Sequence, residues 1–129
     1  MVLDTSALIA VLLDEPESAA LAESIEADPR RLISAGTLLE TAMVIEARHG
    51  ESGGRDLDLL THKIQAEIVS FTYEQTEVAR AAFRKFGKGR HRARLNLGDC
   101  FAYALSRVSG EKLLFKGDDF VHTDVEAVC

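Results

Sequence analysis

The sequence predicts an α/β protein with a mainly parallel central sheet and helices on both of its faces. Short apolar runs alternate with stretches whose apolar residues recur at helical spacing, and one or two such stretches separate each pair of runs. That order requires crossover connections between parallel strands. In addition, acids directly follow several of the runs, at the sheet edge where α/β proteins gather their working groups.

Residues 1–3 are the first apolar run, ended by Asp4. After a Thr5-Ser6 break, residues 7–13 have helical spacing. Acids around Pro16 suit the positive end of a helix, which predicts a second helix over 16–27, stopped near Asp28-Pro29. Residues 31–35 are the next strand. Leu38, Leu39, Ala42, Met43, Val44, Ile45 and Ala47 support a helix over 37–49 that closes at Gly50, followed by a flexible turn over 51–54 and a helix over 56–66. Then come a strand over 67–71, an amphipathic helix over 74–86, a glycine-punctuated basic loop over 87–94 and a last long helix over 97–108. An apolar strand over 112–116, a turn over 117–119 and an edge strand over 125–128 complete the pattern.

A chain of 129 residues with 47% hydrophobic content fits a single domain over 1–129, with core enough to need no disulfide or metal staple. The first residues lack a signal-peptide pattern, and no apolar run approaches the roughly 20 residues needed to span a bilayer. A cytoplasmic protein with no membrane partner is expected. Cys100 and Cys129 have neither metal-ligand nor disulfide spacing and read as reduced thiols. His49, His62, His91 and His122 are scattered and no phosphate-gripping glycine loop is present, which argues against zinc, triad and P-loop chemistry.

The acids are more informative. Asp4 ends the first strand, where it can also cap the following helix. Asp118 and Asp119 follow the strand containing Leu113-Leu114-Phe115 and reach the same edge, where turn chemistry also favours aspartate. On its helix Glu40 shares a face with Met43, Val44 and Ala47; that face should be buried, and a carboxylate there costs several kcal/mol unless it is paired or holds a cation. Asp99 lies three residues after Asn96, at the mouth of the last long helix. A parallel fold would gather these acids at one rim. Packed carboxylates repel unless hard divalent cations neutralise them, and oxygen-only ligands select Mg2+ or Mn2+ over zinc.

The net charge of −6 would disfavour a polyanionic partner if it were evenly spread. It is not, because between Glu77 and Asp99 there is no acid, while Arg80, Arg84, Lys85, Lys88, Arg90, Arg92 and Arg94 supply seven of the fifteen cations. Lys85, Lys88, Arg90, Arg92 and Arg94, interleaved with glycines, suit an RNA backbone.

Asp4-Thr5-Ser6-Ala7-Leu8, Glu40 in Leu39-Glu40-Thr41-Ala42, Leu97-Gly98-Asp99-Cys100, and the segment from Leu113 to Phe120 together resemble a PIN domain, and specifically the VapC toxins of bacterial toxin–antitoxin modules. The resemblance spans essentially the whole chain. It implies a three-layer α/β/α sandwich and an Mg2+- or Mn2+-dependent endoribonuclease. Asp4 and Asp99 match the family's metal ligands, with Glu40 and a fourth acid completing the catalytic set. Where the family's pattern places that fourth acid this chain has Gly117, so Asp118 or Asp119 stands in. Thr5 or Ser6 resembles the hydroxyl residue that supports the metal. The implied partners are a VapB-type antitoxin, RNA, a second copy of the chain, and operator DNA reached only through the antitoxin.

Three other readings compete. A phosphoacceptor receiver domain has similar length and an acidic pocket, but needs an aspartate after the third strand, where this chain has Phe71-Thr72-Tyr73. An inactive binding module of the same fold leaves four acids and a basic loop without a purpose. A PIN nuclease of RNA maturation stays open.

Overall fold

The computed structural model describes all residues except Lys88, Arg90, Arg92 and Cys129. Four strands, β1 (Val2–Leu3), β2 (Leu32–Ser34), β3 (Glu67–Val69) and β4 (Leu113–Leu114), form one sheet in the order β3-β2-β1-β4, with every pair parallel. Helices α1 (Thr5–Leu12) and α2 (Ser18–Ala27) connect β1 to β2. Helix α3 (Ala35–Lys63) connects β2 to β3, and α4 (Tyr73–Phe86) and α5 (Leu97–Ser109) connect β3 to β4.

Strand residues alternate between two cores, as the period of a pleated strand requires. Val2, Leu32 and Leu113 face Ala82 and Phe86 of α4 and Ala102, Tyr103 and Leu105 of α5. Leu3, Ile33 and Leu114 face Ala7 and Leu8 of α1 and Leu21 and Ile25 of α2. The result is the expected three layers with a parallel sheet between them.

Three local expectations need correction. The turn at 51–54 is absent: α3 runs 29 residues, with one break at Gly50 (φ 63°, ψ −154°). Gly53 and Gly54 are helical, and their small size serves close approach, since a Cβ on Gly53 would stand 2.8 Å from the Ile45 carbonyl oxygen. Helix α1 begins at Thr5 rather than residue 7, because Asp4 caps it. The edge strand over 125–128 reduces to one parallel bridge, Leu113 to Ala127.

The chain steps from β1 to β2 to β3 in one direction and returns to place β4 on the other side of β1. This reversal opens a crevice at the carboxyl ends of β1 and β4. Among the described residues no helix is long and apolar enough to cross a membrane.

Candidate active site

Asp4 occupies that crevice directly after β1. It is 3% exposed, and its Oδ2 accepts from the Ser6 amide at 3.0 Å and the Ser6 hydroxyl at 2.6 Å. Its Oδ1 is buried and has no partner among the described residues. The Ser6 hydroxyl also accepts from the Lys116 amide at 2.9 Å, which ties the segment after β4 to the start of α1. Burial pushes the Asp4 carboxyl up to about 6, against the pull of the Ser6 hydrogen bonds.

Asp99, in the first turn of α5, is 8% exposed. Its Oδ2 accepts from the Asn96 amide at 3.1 Å while Asn96 Oδ1 accepts from the Asp99 amide at 3.0 Å. This reciprocal capping box orients the carboxylate at the positive end of the helix. Burial pushes the Asp99 carboxyl up to about 7, with further upward contributions from the charges of Asp4, Asp119 and Glu40. Asp4 in turn feels Glu40. Four of the five acids singled out in the sequence therefore share one electrostatic neighbourhood.

Glu40 reaches it from α3, though not on the face expected. The buried stripe of α3 is Thr37, Thr41 and Ile45, whereas Met43 and Ala47 are exposed and Glu40 is half-buried at the stripe's edge. A count of apolar residues misses threonines, which can be buried when their hydroxyls bond to the helix itself. Here the Thr41 hydroxyl donates to the Thr37 carbonyl oxygen at 2.8 Å. It also lies 3.1 Å from the Thr5 hydroxyl, which lies 2.5 Å from Glu40 Oε1. Thr41 is the site residue the sequence reading missed. Its signal was Thr37 and Thr41 at one-turn spacing beside the acid.

Thr5 and Ser6 thus orient different carboxylates, Glu40 and Asp4. Asp118 and Asp119 are both exposed, on a segment anchored by buried Phe120, whose ring lies 5.1 Å from that of Phe115. The charge of Asp119 is among the leading upward influences on Asp99. Lys116, after β4, pairs with Glu15 at 2.7 Å and Glu17 at 2.9 Å, latching the turn between α1 and α2 beside the crevice.

The donor set suits a hydrated hard cation. Among the described residues no three His, Cys, Asp or Glu side chains form a ready-made cage. Mg2+ needs none, since it commonly retains several waters and uses one or two carboxylates. A buried carboxylate oxygen with no partner among the described residues, in the same electrostatic neighbourhood as a second buried carboxylate, is the kind of donor such an ion requires.

In the basic segment, Lys88, Arg90 and Arg92 lie outside the described residues. Lys85 and Arg94 are exposed, with the Lys85 ammonium 5.1 Å from the Phe86 ring centroid. Phe86, Ala93 and Leu95 are buried, and the Leu95 amide donates to the Phe86 carbonyl at 2.9 Å. The segment is therefore pinned at both ends, with Arg94 five residues before Asp99.

A three-layer parallel α/β fold with converging carboxylates at its switch point defines a class, and the family comparison names it: the PIN-domain model matches residues 1–126, so the chain belongs to the PIN-domain family. Within that family it is 56% identical over 128 residues to ribonuclease VapC30 of Mycobacterium tuberculosis, covering 99% of this chain and 98% of the relative. It is 55% identical to a ribonuclease VapC of Mycolicibacterium smegmatis, covering 99% of each. Among solved structures, VapC20 of M. tuberculosis, described as a toxin cleaving the sarcin-ricin loop, superposes with a TM-score of 0.78 at 17% identity, covering 96% of this chain and 95% of the other. At that identity the superposition speaks to the fold alone.

Proposed function

We propose that this protein is the toxin of a VapBC-type toxin–antitoxin pair, a hydrolase that cuts phosphodiester bonds of RNA with the help of Mg2+ or Mn2+. The observation that carries the proposal is the pairing of two buried carboxylates, Asp4 and Asp99, in one electrostatic neighbourhood, with Asp4 Oδ1 left without a partner among the described residues. Relatives sharing more than half of the sequence over its full length are named ribonucleases.

Asp4 and Asp99 are the direct ligands, with Glu40 and Asp119 completing the site; the charge of Asp119 on Asp99 favours it over Asp118. When bound, the cation lowers the pKa of a coordinated water and offsets negative charge growing on the phosphate oxygens. The chain's own residues do the positioning. Ser6 holds Asp4 through Oδ2, Thr5 holds Glu40, and Asn96 holds Asp99. Lys85 and Arg94, with Lys88, Arg90 and Arg92, supply cations for the RNA backbone. A solved VapBC2 complex of Rickettsia felis bound to a promoter DNA fragment has the same fold, with a TM-score of 0.79 at 14% identity, covering 98% of this chain and 94% of the other. The VapC names of the relatives at 55–56% identity support a VapB-type antitoxin as the partner, and operator DNA is reached through it in this reading. Exposed Leu39, Met43 and Leu97 support pairing of two copies. The location that fits is the cytoplasm.

The test is purified Asp4→Asn and Asp99→Asn chains, assayed on total RNA with sequencing of the new 5′ ends. Each should lose at least about a hundredfold in cutting rate, while melting no lower than the parent because each loses a buried charge. A rate equal to the parent's in either variant would sink the assignment.

A further inference from the structure

Where α3 and α5 meet near the acids, each helix carries a glycine whose empty side is filled by the other. A Cβ on Gly36, in the first turn of α3, would overlap the ring of Phe101 from α5. A Cβ on Gly98, in the first turn of α5, would overlap the carboxylate of Glu40 from α3. Neither glycine has a positive φ, so space rather than backbone conformation calls for glycine at both. Gly98 is buried and immediately precedes Asp99. The group it meets is the end of a flexible side chain, so a methyl group at 98 would push Glu40 aside more readily than it would part the helices.

We propose that Gly98 is the positioning residue for Glu40: its missing side chain is the seat in which that carboxylate rests beside Asp99, and the Thr5 hydroxyl is the clamp on Oε1. With the seat filled, Glu40 leaves Thr5 and moves away from Asp99, while the capping box of Asp99 stays intact. The activity readout rests on the ribonuclease reading; the seat itself rests on the contact alone.

The test is a cycle of Gly98→Ala, Glu40→Asp and the double variant, each followed by thermal melting, calorimetric titration with Mn2+, and RNA cleavage. Gly98→Ala should fold, weaken Mn2+ binding roughly tenfold and lower kcat by about ten- to a hundredfold, with KM for RNA little changed. Glu40→Asp should weaken both in the parent background. In the double variant it should add almost nothing or restore part of the loss, because the shorter acid fits beside the methyl group. Losses that multiply, or a Gly98→Ala chain with parental Mn2+ affinity and kcat, would overturn the proposal. So would failure of both Gly98→Ala chains to fold, whereas a double variant that folds where the single does not supports it. If no chain cuts RNA but Mn2+ binding keeps the non-additive pattern, the seat stands and the ribonuclease reading falls.

Discussion

Asp4 and Asp99 are neutralised more readily in the folded chain than in the unfolded one, since burial raises them from 3.8 to about 6 and about 7. The folded state therefore binds more protons between those limits, so their contribution favours folding fully below the ordinary carboxylate value and is lost as pH rises through 6 and 7. In chelator, the melting temperature of the parent should fall relative to an Asp4→Asn/Asp99→Asn double variant as pH is raised from about 5 to about 8. Mn2+ should close that gap at the higher pH and have little effect at the lower, where protons compete for the same oxygens. Parallel melting curves for the two chains across that range would show that these carboxylates do not carry the shift. Capping and turn chemistry had given Asp4, Asp99 and the Asp118-Asp119 pair ordinary explanations. The structure shows that Asp4 and Asp99 keep their capping roles, each through its Oδ2.

The elements that aim these side chains are short strands and helix starts, and their sequence signals were strong. Asn96 with Asp99, and an apolar run stopped by Asp4, are local patterns that neighbouring residues settle. Helix α3 was the exception. Gly50 through Gly54 reads as a turn, yet only Gly50 leaves the helix, and its φ of 63° with ψ of −154° is a conformation essentially confined to glycine. Replacing Gly50 by alanine should cost about 1–3 kcal/mol in urea unfolding while leaving Mn2+ affinity unchanged. A smaller loss would mean that the bend tolerates a side chain. Among the described residues nothing stands within 4 Å of a Cβ built there, so a measured cost would be conformational rather than steric. The glycines at 53 and 54 were misread because close packing against Ile45 and Glu46 is a tertiary demand, invisible to local propensity.

For the whole molecule, the two apolar cores are closed but the rim beside Glu40 is not. Leu39, Met43 and Leu97 are more than 60% exposed around a shallow cavity of about 430 Å3, and Leu97 and Phe101 continue into a second of about 720 Å3 lined by Phe71 and Phe83. Pairing of two copies through this face predicts a two-chain mass in solution by light scattering, reduced to one chain by Leu39→Ser/Met43→Ser with the far-UV spectrum unchanged. A one-chain mass for the parent would remove the second copy from the proposed assembly. Which helical face is buried was also the point at which sequence and structure diverged. By itself the sequence determined the order of strands and helices, the parallel sheet and the acids that follow its strands, since these follow from periodicity, caps and connection length. Only the tertiary structure decided which threonines line the buried face of α3, that the charge of Asp119 reaches Asp99, and that Glu40 rests against Gly98. Those depend on how helices distant in the chain meet, and no local pattern encodes that.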